Sequence, residues 1–93
     1  MIDTCYGLVH EDVFMRLKNV QLLMLDVDGT MTDGGIYLNN ESGEYKRFFT
    51  KDGLGLMQLQ SLSDCTCAVI TGRKSHIVER RCKETHIKHI IQG

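Results

Sequence analysis

The sequence has no proline, no tryptophan, no internal repeat and no low-complexity stretch. Nothing in it therefore marks a linker, and 93 residues suffice for one small domain with a limited core. Charge of either sign is also not in excess, because 11 Lys and Arg balance 12 Asp and Glu to a net charge of −1. This balance gives no electrostatic basis for binding nucleic acid or a membrane surface.

Long apolar segments are missing as well. No run approaches the roughly 20 residues that span a bilayer. The N-terminus carries Asp3, Glu11 and Asp12 and lacks the basic start and apolar stretch of a signal peptide. We therefore expect a cytoplasmic protein.

The cysteines lack the secretory context in which disulfide frameworks form. A zinc site could recruit Cys82, His86 and His89, but their spacing fits no structural zinc pattern. We therefore predict reduced thiols that act as small buried hydrophobes. The four residues are Cys5, Cys65, Cys67 and Cys82.

Apolar spacing predicts alternating helices and strands. Continuous short apolar runs are typical of strands that are buried on both faces in a parallel sheet. The predicted elements are a helix at 11–20, strands at 22–25, 67–70 and 87–91, and helices at 54–62 and 77–85. This order predicts an α/β fold, a Rossmann-like open parallel sheet with helices on both faces, whose core begins at about residue 22.

A β-hairpin is predicted over residues 36–48, directly after the first strand of the sheet. Residues 36–38 and 45–48 flank the segment 39–43, which contains Asn, Ser and Gly. These residue types favour a turn of five or six residues between two short strands.

Asp26 and Asp28 follow the first buried strand, and Gly29 allows the chain to turn there. Ligands of open α/β sheets collect beyond the carboxyl ends of the strands. Two carboxylates about 4 Å apart repel by roughly 4 kcal/mol at an effective dielectric of 20, so a cation is needed nearby or one acid must stay protonated. Magnesium, which prefers one or two carboxylates together with phosphate oxygens, meets this need.

This motif has two other interpretations. A calcium loop also begins Asp-x-Asp, but it requires Gly where Met31 stands and Glu where Tyr37 stands. A purely structural turn remains open, because Asp, Gly and Thr are ordinary turn residues.

A second polar element, Thr71-Gly72-Arg73, ends the second buried strand. A hydroxyl, a glycine and the N–H groups of a following helix can together hold a phosphate. Thr-Gly is also a common connection between a strand and a helix. The motif supports a phosphate site mainly through its relation to Asp26, because the carboxyl ends of parallel strands lie at the same edge of a sheet.

The residues 26–32, Asp-Val-Asp-Gly-Thr-Met-Thr, followed later by Ile-Thr-Gly-Arg, resemble the first two motifs of the haloacid dehalogenase superfamily. The segments 33–38 and 51–55 resemble its capless branch, which is typified by a phosphatase of an ulosonic acid phosphate. The similarity runs from about Leu22 to Gly93 and covers only the N-terminal portion of the family pattern. It implies that residues 1–93 are a partial haloacid dehalogenase-like domain.

The resemblance implies a magnesium-dependent phosphatase. Asp26 would be the nucleophile that forms an aspartyl-phosphate, and Asp28 the general acid and base. Magnesium would bind the Asp26 carboxylate and the backbone carbonyl of Asp28. The residues expected to contact phosphate or substrate are Gly29, Thr71, Gly72, Arg73, Lys51 and Asp52. Arg73, Lys51 and Asp52 could equally be solvated surface charges.

The substrate implied is a sugar phosphate, an eight- or nine-carbon ulosonic acid phosphate of lipopolysaccharide or capsule synthesis. The hairpin would serve contacts in a homo-oligomer, typically a tetramer. The family pattern continues with a lysine and a Gly-Asp-x-x-x-Asp stretch, which do not occur in this sequence, and Lys88 is not assigned the role of that lysine. The alternative is a non-catalytic oligomerisation module related to the C-terminal domain of N-acylneuraminate cytidylyltransferases.

Overall fold

The computed structural model describes all residues from 1 to 93. Ten elements follow one another along the chain. They are β1 (Ile2–Thr4), β2 (Gly7–Val9), α1 (Glu11–Leu17), β3 (Leu22–Leu25), β4 (Tyr37–Leu38), β5 (Glu44–Tyr45), α2 (Thr50–Leu62), β6 (Thr66–Thr71), α3 (His76–Glu84) and β7 (His89–Gln92).

The centre of the fold is a three-stranded sheet with the order β3-β6-β7. Both pairings are parallel, with Leu25 opposite Val69 and Val69 opposite Ile90. Two-stranded antiparallel hairpins, β1-β2 and β4-β5, lie outside this sheet. The predicted α/β class, the open parallel sheet and the hairpin after its first strand are confirmed.

The core lies on one face of the sheet. It joins residues of α2 and α3, such as Leu56 and Cys82, to Cys67 and Val69 of β6. The core cluster is Val27, Met31, Leu56, Cys67, Val69, Val78, Cys82 and Ile87. Together these residues attach both helices to the same side of the sheet.

The opposite face is open, which differs from the expected helices on both faces. Leu22 and Met24 are each 54% exposed, and Ile70 and Ile91 are exposed beside them. The strand order explains the difference, because both crossovers step across the sheet in the same direction. Right-handed crossovers of this kind place α2 and α3 on one face, so the apolar run 22–25 is covered on one side only.

The element boundaries also differ in detail from the predicted ones. Helix α1 ends at Leu17 instead of residue 20 and buries no residue. Helix α2 begins at Thr50, four residues before the predicted start, and carries Gly53 and Leu56 on its buried side. The hairpin β1-β2 was not predicted, because its strands are only three residues long and show no clear alternation.

The β4-β5 hairpin is short and is held at both ends. The side-chain oxygen of Asn39 accepts hydrogen bonds from the backbone N–H groups of Gly43 and Glu41, at 2.7 and 2.9 Å, which closes the turn. At the other end, Phe48 forms an isolated antiparallel bridge with Thr32. The hairpin therefore returns the chain to the loop that follows β3.

Arg81 of α3 fastens the same end of the hairpin. Its guanidinium lies 5.5 Å from the centre of the Phe48 ring and donates a hydrogen bond of 3.1 Å to the carbonyl of Phe49. Phe49 also precedes the first residue of α2. One side chain thus joins α3 to the segment between the hairpin and α2.

Three of the cysteines are buried, as predicted. The prediction is wrong for Cys5, which is exposed because it lies in the turn between β1 and β2. Burial raises the pKa of the Cys67 thiol, with a further rise from neighbouring Cys65. Burial alone raises the pKa of the Cys82 thiol. A raised pKa keeps these thiols protonated, which suits a packing role.

The helices are also short. None of them has the length and apolar content needed to cross a membrane.

The one-sided core predicts opposite responses at two adjacent positions of β6. Val69 is 1% exposed and Ile70 is 43% exposed on the other face. We expect Val69→Ala to lower the free energy of unfolding by about 2 kcal/mol through lost burial and a residual cavity. Ile70→Ala removes more atoms, yet we expect it to cost about 1 kcal/mol or less, because its side chain is already half in water. Urea unfolding followed by circular dichroism measures both, and an equal or larger cost at Ile70 would contradict a one-sided core.

Candidate active site

The two predicted motifs lie at the carboxyl edge of the sheet. Asp26 directly follows β3, and Thr71 is the last residue of β6. Since Leu25 is paired with Val69 in parallel register, Asp26 and Thr71 lie one and two residues beyond the same rung of the sheet. The structure therefore brings the two motifs to one edge.

The loop after β3 is held by the backbone carbonyl of Val27, whose side chain is fully buried. This oxygen accepts hydrogen bonds from the N–H groups of Thr30, Met31 and Thr32, at 3.1, 2.9 and 3.2 Å. Gly29 has a φ of +83°, in the left-handed region that favours glycine. The turn predicted at Gly29 is therefore tight and internally bonded.

Thr32 adds a second set of bonds to this loop. Its hydroxyl oxygen accepts hydrogen bonds from the N–H groups of Gly29 and Gly34, both at 3.1 Å. Its side chain is almost fully buried, so these bonds are shielded from water. Thr32 thereby joins Gly29, the neighbour of Asp28, to Gly34 at the end of the same loop.

The two carboxylates have different surroundings. Asp26 is exposed and takes part in none of the ion pairs or side-chain hydrogen bonds of the chain. Asp28 is partly buried, and its Oδ1 lies 2.5 Å from the Nζ of Lys46. One acid is free to react with a ligand, while the other is held by a cation from the hairpin.

Lys46 was not predicted as a site residue. Its side chain has no exposed surface, and its Nζ also lies 3.3 Å from Oε1 of Glu44. The other oxygen of Glu44, Oε2, lies 3.4 Å from Nη2 of Arg73. Four charges of alternating sign therefore connect Asp28 through the hairpin to the loop after β6. Sequence carries no direct signal for this, because each residue in isolation is typical of a solvated surface.

The Thr71-Gly72-Arg73 segment forms a loop of its own. The N–H of Arg73 lies 3.4 Å from the Thr71 hydroxyl oxygen, and the Thr71 carbonyl accepts the N–H of Gly93 at 3.0 Å. Helix α3 begins only at His76, where the hydroxyl of Ser75 caps it by accepting the N–H of Ile77. Three residues therefore separate Gly72 from the first residue of the helix.

Lys51 and Asp52 lie in the first turn of α2 and are exposed. They border a cavity of about 440 Å³ together with Thr30 and Met31 of the loop after β3. The structure thus places both residues beside that loop, whereas Arg73 contacts Glu44 of the hairpin. Neither Lys51 nor Asp52 forms an ion pair with Asp26 or Asp28.

The donors at the sheet edge are of the kind that suits magnesium. They are carboxylate and carbonyl oxygens, which hard divalent cations prefer. The chain has no group of three or more His, Cys, Asp or Glu that could hold a metal ion by side chains alone. Magnesium does not require such a group, because it uses one or two carboxylates and completes its shell with water and phosphate oxygens. The free Asp26 carboxylate fits this requirement.

Comparison with known proteins finds relatives in both sequence and structure. No protein-family model matches the chain. The 3-deoxy-D-manno-octulosonate 8-phosphate phosphatase of Escherichia coli strain K12 is 47% identical over 92 residues, which is 99% of this chain and 48% of that protein. The crystal structure of the Yersinia pestis phosphatase of the same name has a TM-score of 0.93 and 46% identity, and the match covers 99% of this chain and 49% of that one.

A third structure contains ligands. The phosphatase of the same name from Moraxella catarrhalis, in complex with a magnesium ion, a phosphate ion and a KDO molecule, has a TM-score of 0.84 and 45% identity, and the match covers 90% of this chain and 48% of that one. The chain thus spans about half the length of the curated relatives that it matches. Over that half, the chain is similar in sequence and in fold to the 3-deoxy-D-manno-octulosonate 8-phosphate phosphatases.

Proposed function

We propose that this chain carries the nucleophile and the acid–base residue of a magnesium-dependent phosphatase that acts on a sugar phosphate. The single observation that carries the proposal is the difference between the two acids of the Asp-Val-Asp motif. Asp26 is exposed and unpaired, whereas Asp28 is held by Lys46. A nucleophile must be free to reach phosphorus, and an acid–base group must be held at a fixed position.

The reaction follows from these two positions. An oxygen of Asp26 attacks phosphorus and forms an aspartyl-phosphate while the bond to the leaving oxygen breaks. Asp28, when protonated, gives its proton to that oxygen and later takes a proton from the water that hydrolyses the intermediate. The Thr71 hydroxyl and the Gly72 N–H, at the same sheet edge, would hold oxygens of the phosphoryl group.

Magnesium would be held by the Asp26 carboxylate and the backbone carbonyl of Asp28. When bound, it supplies positive charge that offsets the charge of the phosphoryl group. The chain's own contribution is the loop 27–34, in which Gly29 and Thr32 fix the backbone from which these oxygens project.

The substrate class is inferred from the relatives. Their names specify 3-deoxy-D-manno-octulosonate 8-phosphate, and one of them was crystallised with KDO and phosphate. We infer the same substrate, or a related ulosonic acid phosphate, for this protein. Lys51 and Asp52, which border a cavity beside the loop after β3, would contact it.

A homo-oligomer, with a tetramer as the expected form, is proposed from the exposed side chains of the β4-β5 hairpin. Tyr37, Leu38 and Tyr45 are 51%, 73% and 58% exposed. Apolar side chains grouped on a projecting hairpin suit contact between copies.

The nucleophile is tested by Asp26→Asn. We expect release of inorganic phosphate from 3-deoxy-D-manno-octulosonate 8-phosphate, in the presence of magnesium, to fall by at least about a thousandfold, because an amide does not attack phosphorus. Radioactive phosphate trapped on the wild-type protein by acid quench should be absent from the variant. Circular dichroism should be unchanged, since Asp26 is exposed and unpaired. Wild-type protein without phosphatase activity, or a variant that keeps it, would contradict the proposal.

The loop is tested by the pair Thr32→Val and Thr32→Ser. Valine keeps the shape but removes the hydroxyl, so the N–H groups of Gly29 and Gly34 lose their acceptor. We expect Thr32→Val to lower the free energy of unfolding by about 1–3 kcal/mol and to slow phosphate release. Thr32→Ser keeps the acceptor and should retain most of the activity. Equal activity in the two variants would show that the hydroxyl does not hold the loop.

A further inference from the structure

We infer that Lys46 is a positioning residue that holds the carboxyl group of Asp28 at the leaving oxygen, so that the hairpin is part of the catalytic apparatus. The inference rests on the proposed function and deepens it. It adds a residue that the Asp-Val-Asp and Thr-Gly-Arg motifs do not contain and that lies on an element expected only to make contacts between subunits.

The geometry is that of a fixed cation. Lys46 projects from the chain directly after β5, and its side chain has no exposed surface. Its Nζ reaches the Oδ1 of Asp28 at 2.5 Å across a sequence separation of 18 residues. The backbone near Lys46 is anchored too, because the bridge between Phe48 and Thr32 joins the hairpin to the loop of Asp28. Both partners therefore stand on segments with few alternative positions.

Charge balance adds a second reason. Burying an ammonium group away from water is unfavourable in free energy unless anions surround it. Removing one partner of a buried ion pair is also destabilising. Lys46 has two anionic neighbours, Asp28 and Glu44, and Glu44 has a second cation in Arg73. If Asp28 turned away, the ammonium would lose its closest partner. The cost of that loss restricts Asp28 to the orientation that faces the hairpin.

Glu44 extends the restraint to the second motif. Its Oε1 is buried and accepts no well-aligned hydrogen bond, so it is held there by the charge of Lys46, 3.3 Å away. Its Oε2 contacts the guanidinium of Arg73, in the loop that follows Thr71. The same ion-pair chain thus sets the position of the acid–base residue relative to the phosphate loop.

A purely structural role would also explain a buried ion pair. The dependence of activity on the leaving group distinguishes that role from positioning of Asp28. In the first step, the bond between Asp26 and phosphorus forms, the bond to the leaving oxygen breaks, and a proton carried on Oδ2 of Asp28 passes to that oxygen, while Oδ1 still accepts a hydrogen bond from Lys46, whose charge Glu44 balances. A sugar alkoxide needs this proton, whereas p-nitrophenolate leaves without it. A variant that misplaces Asp28 must therefore lose far more activity on the sugar phosphate than on p-nitrophenyl phosphate.

The test compares Lys46→Met, Lys46→Arg and the control Lys83→Met, which removes an exposed lysine of α3. The first step is followed by rapid quench with the sugar phosphate and by the burst of nitrophenolate with the aryl phosphate. For Lys46→Met we expect a loss of about a hundredfold with the sugar phosphate and no more than about threefold with the aryl phosphate, with KM changed little. Lys46→Arg should recover part of the loss, and Lys83→Met should match the wild type.

A double-variant cycle supplies the second measurement. Asp28→Asn should show the same dependence on the leaving group, and adding Lys46→Met to it should cause no further loss, because the two residues act as a unit. Equal losses on both substrates, or additive losses in the double variant, would overturn the role of Lys46 and leave the proposed function standing. Wild-type protein that hydrolyses neither substrate would overturn the proposed function and the inference with it. Circular dichroism and urea unfolding verify that each variant is folded.

Discussion

Lys46 carries its charge at a position that water does not reach, and a buried ammonium is tolerated only where anions surround it. Asp28 and Glu44 supply those anions, and Glu44 in turn contacts Arg73. These four charged groups come from the loop after β3, the β4-β5 hairpin and the loop after β6. Their mutual neutralisation therefore determines how three separate segments are arranged at the edge of the sheet.

The same arrangement leaves Asp26 without an ion-pair partner. In a site with two neighbouring acids and one internal cation, the cation reduces the repulsion at one acid and leaves the other to be compensated from outside. Lys46 contacts Asp28 and not Asp26. The division suits the proposed chemistry, in which a metal ion and a phosphoryl group approach the free carboxylate, and it gives the two acids distinct surroundings although they are only two residues apart.

The sheet supports the candidate site, but its hydrophobic core is small and lies on one face. Both covering helices pack on the face that carries Val69, while Leu22 and Met24 stay half exposed on the other. The edge that carries Asp26 and Asp28 is instead stiffened locally, by hydrogen bonds to the Val27 carbonyl and the Thr32 hydroxyl. Rigidity at the site therefore comes from short-range bonds within one loop, which depend little on how much of the sheet is covered.

Local sequence determined the class of fold and the two motifs. Apolar runs, glycine turns and the acids that follow a strand are properties of a few consecutive residues, so the placement of Asp26 after β3 and of Thr71 at the end of β6 could be predicted. The faces of the sheet could not, because the direction of each crossover decides them. Nor could the partner of Asp28. Lys46 lies 18 residues away in sequence, and only the return of the hairpin to the loop of Thr32 brings its ammonium to the carboxylate.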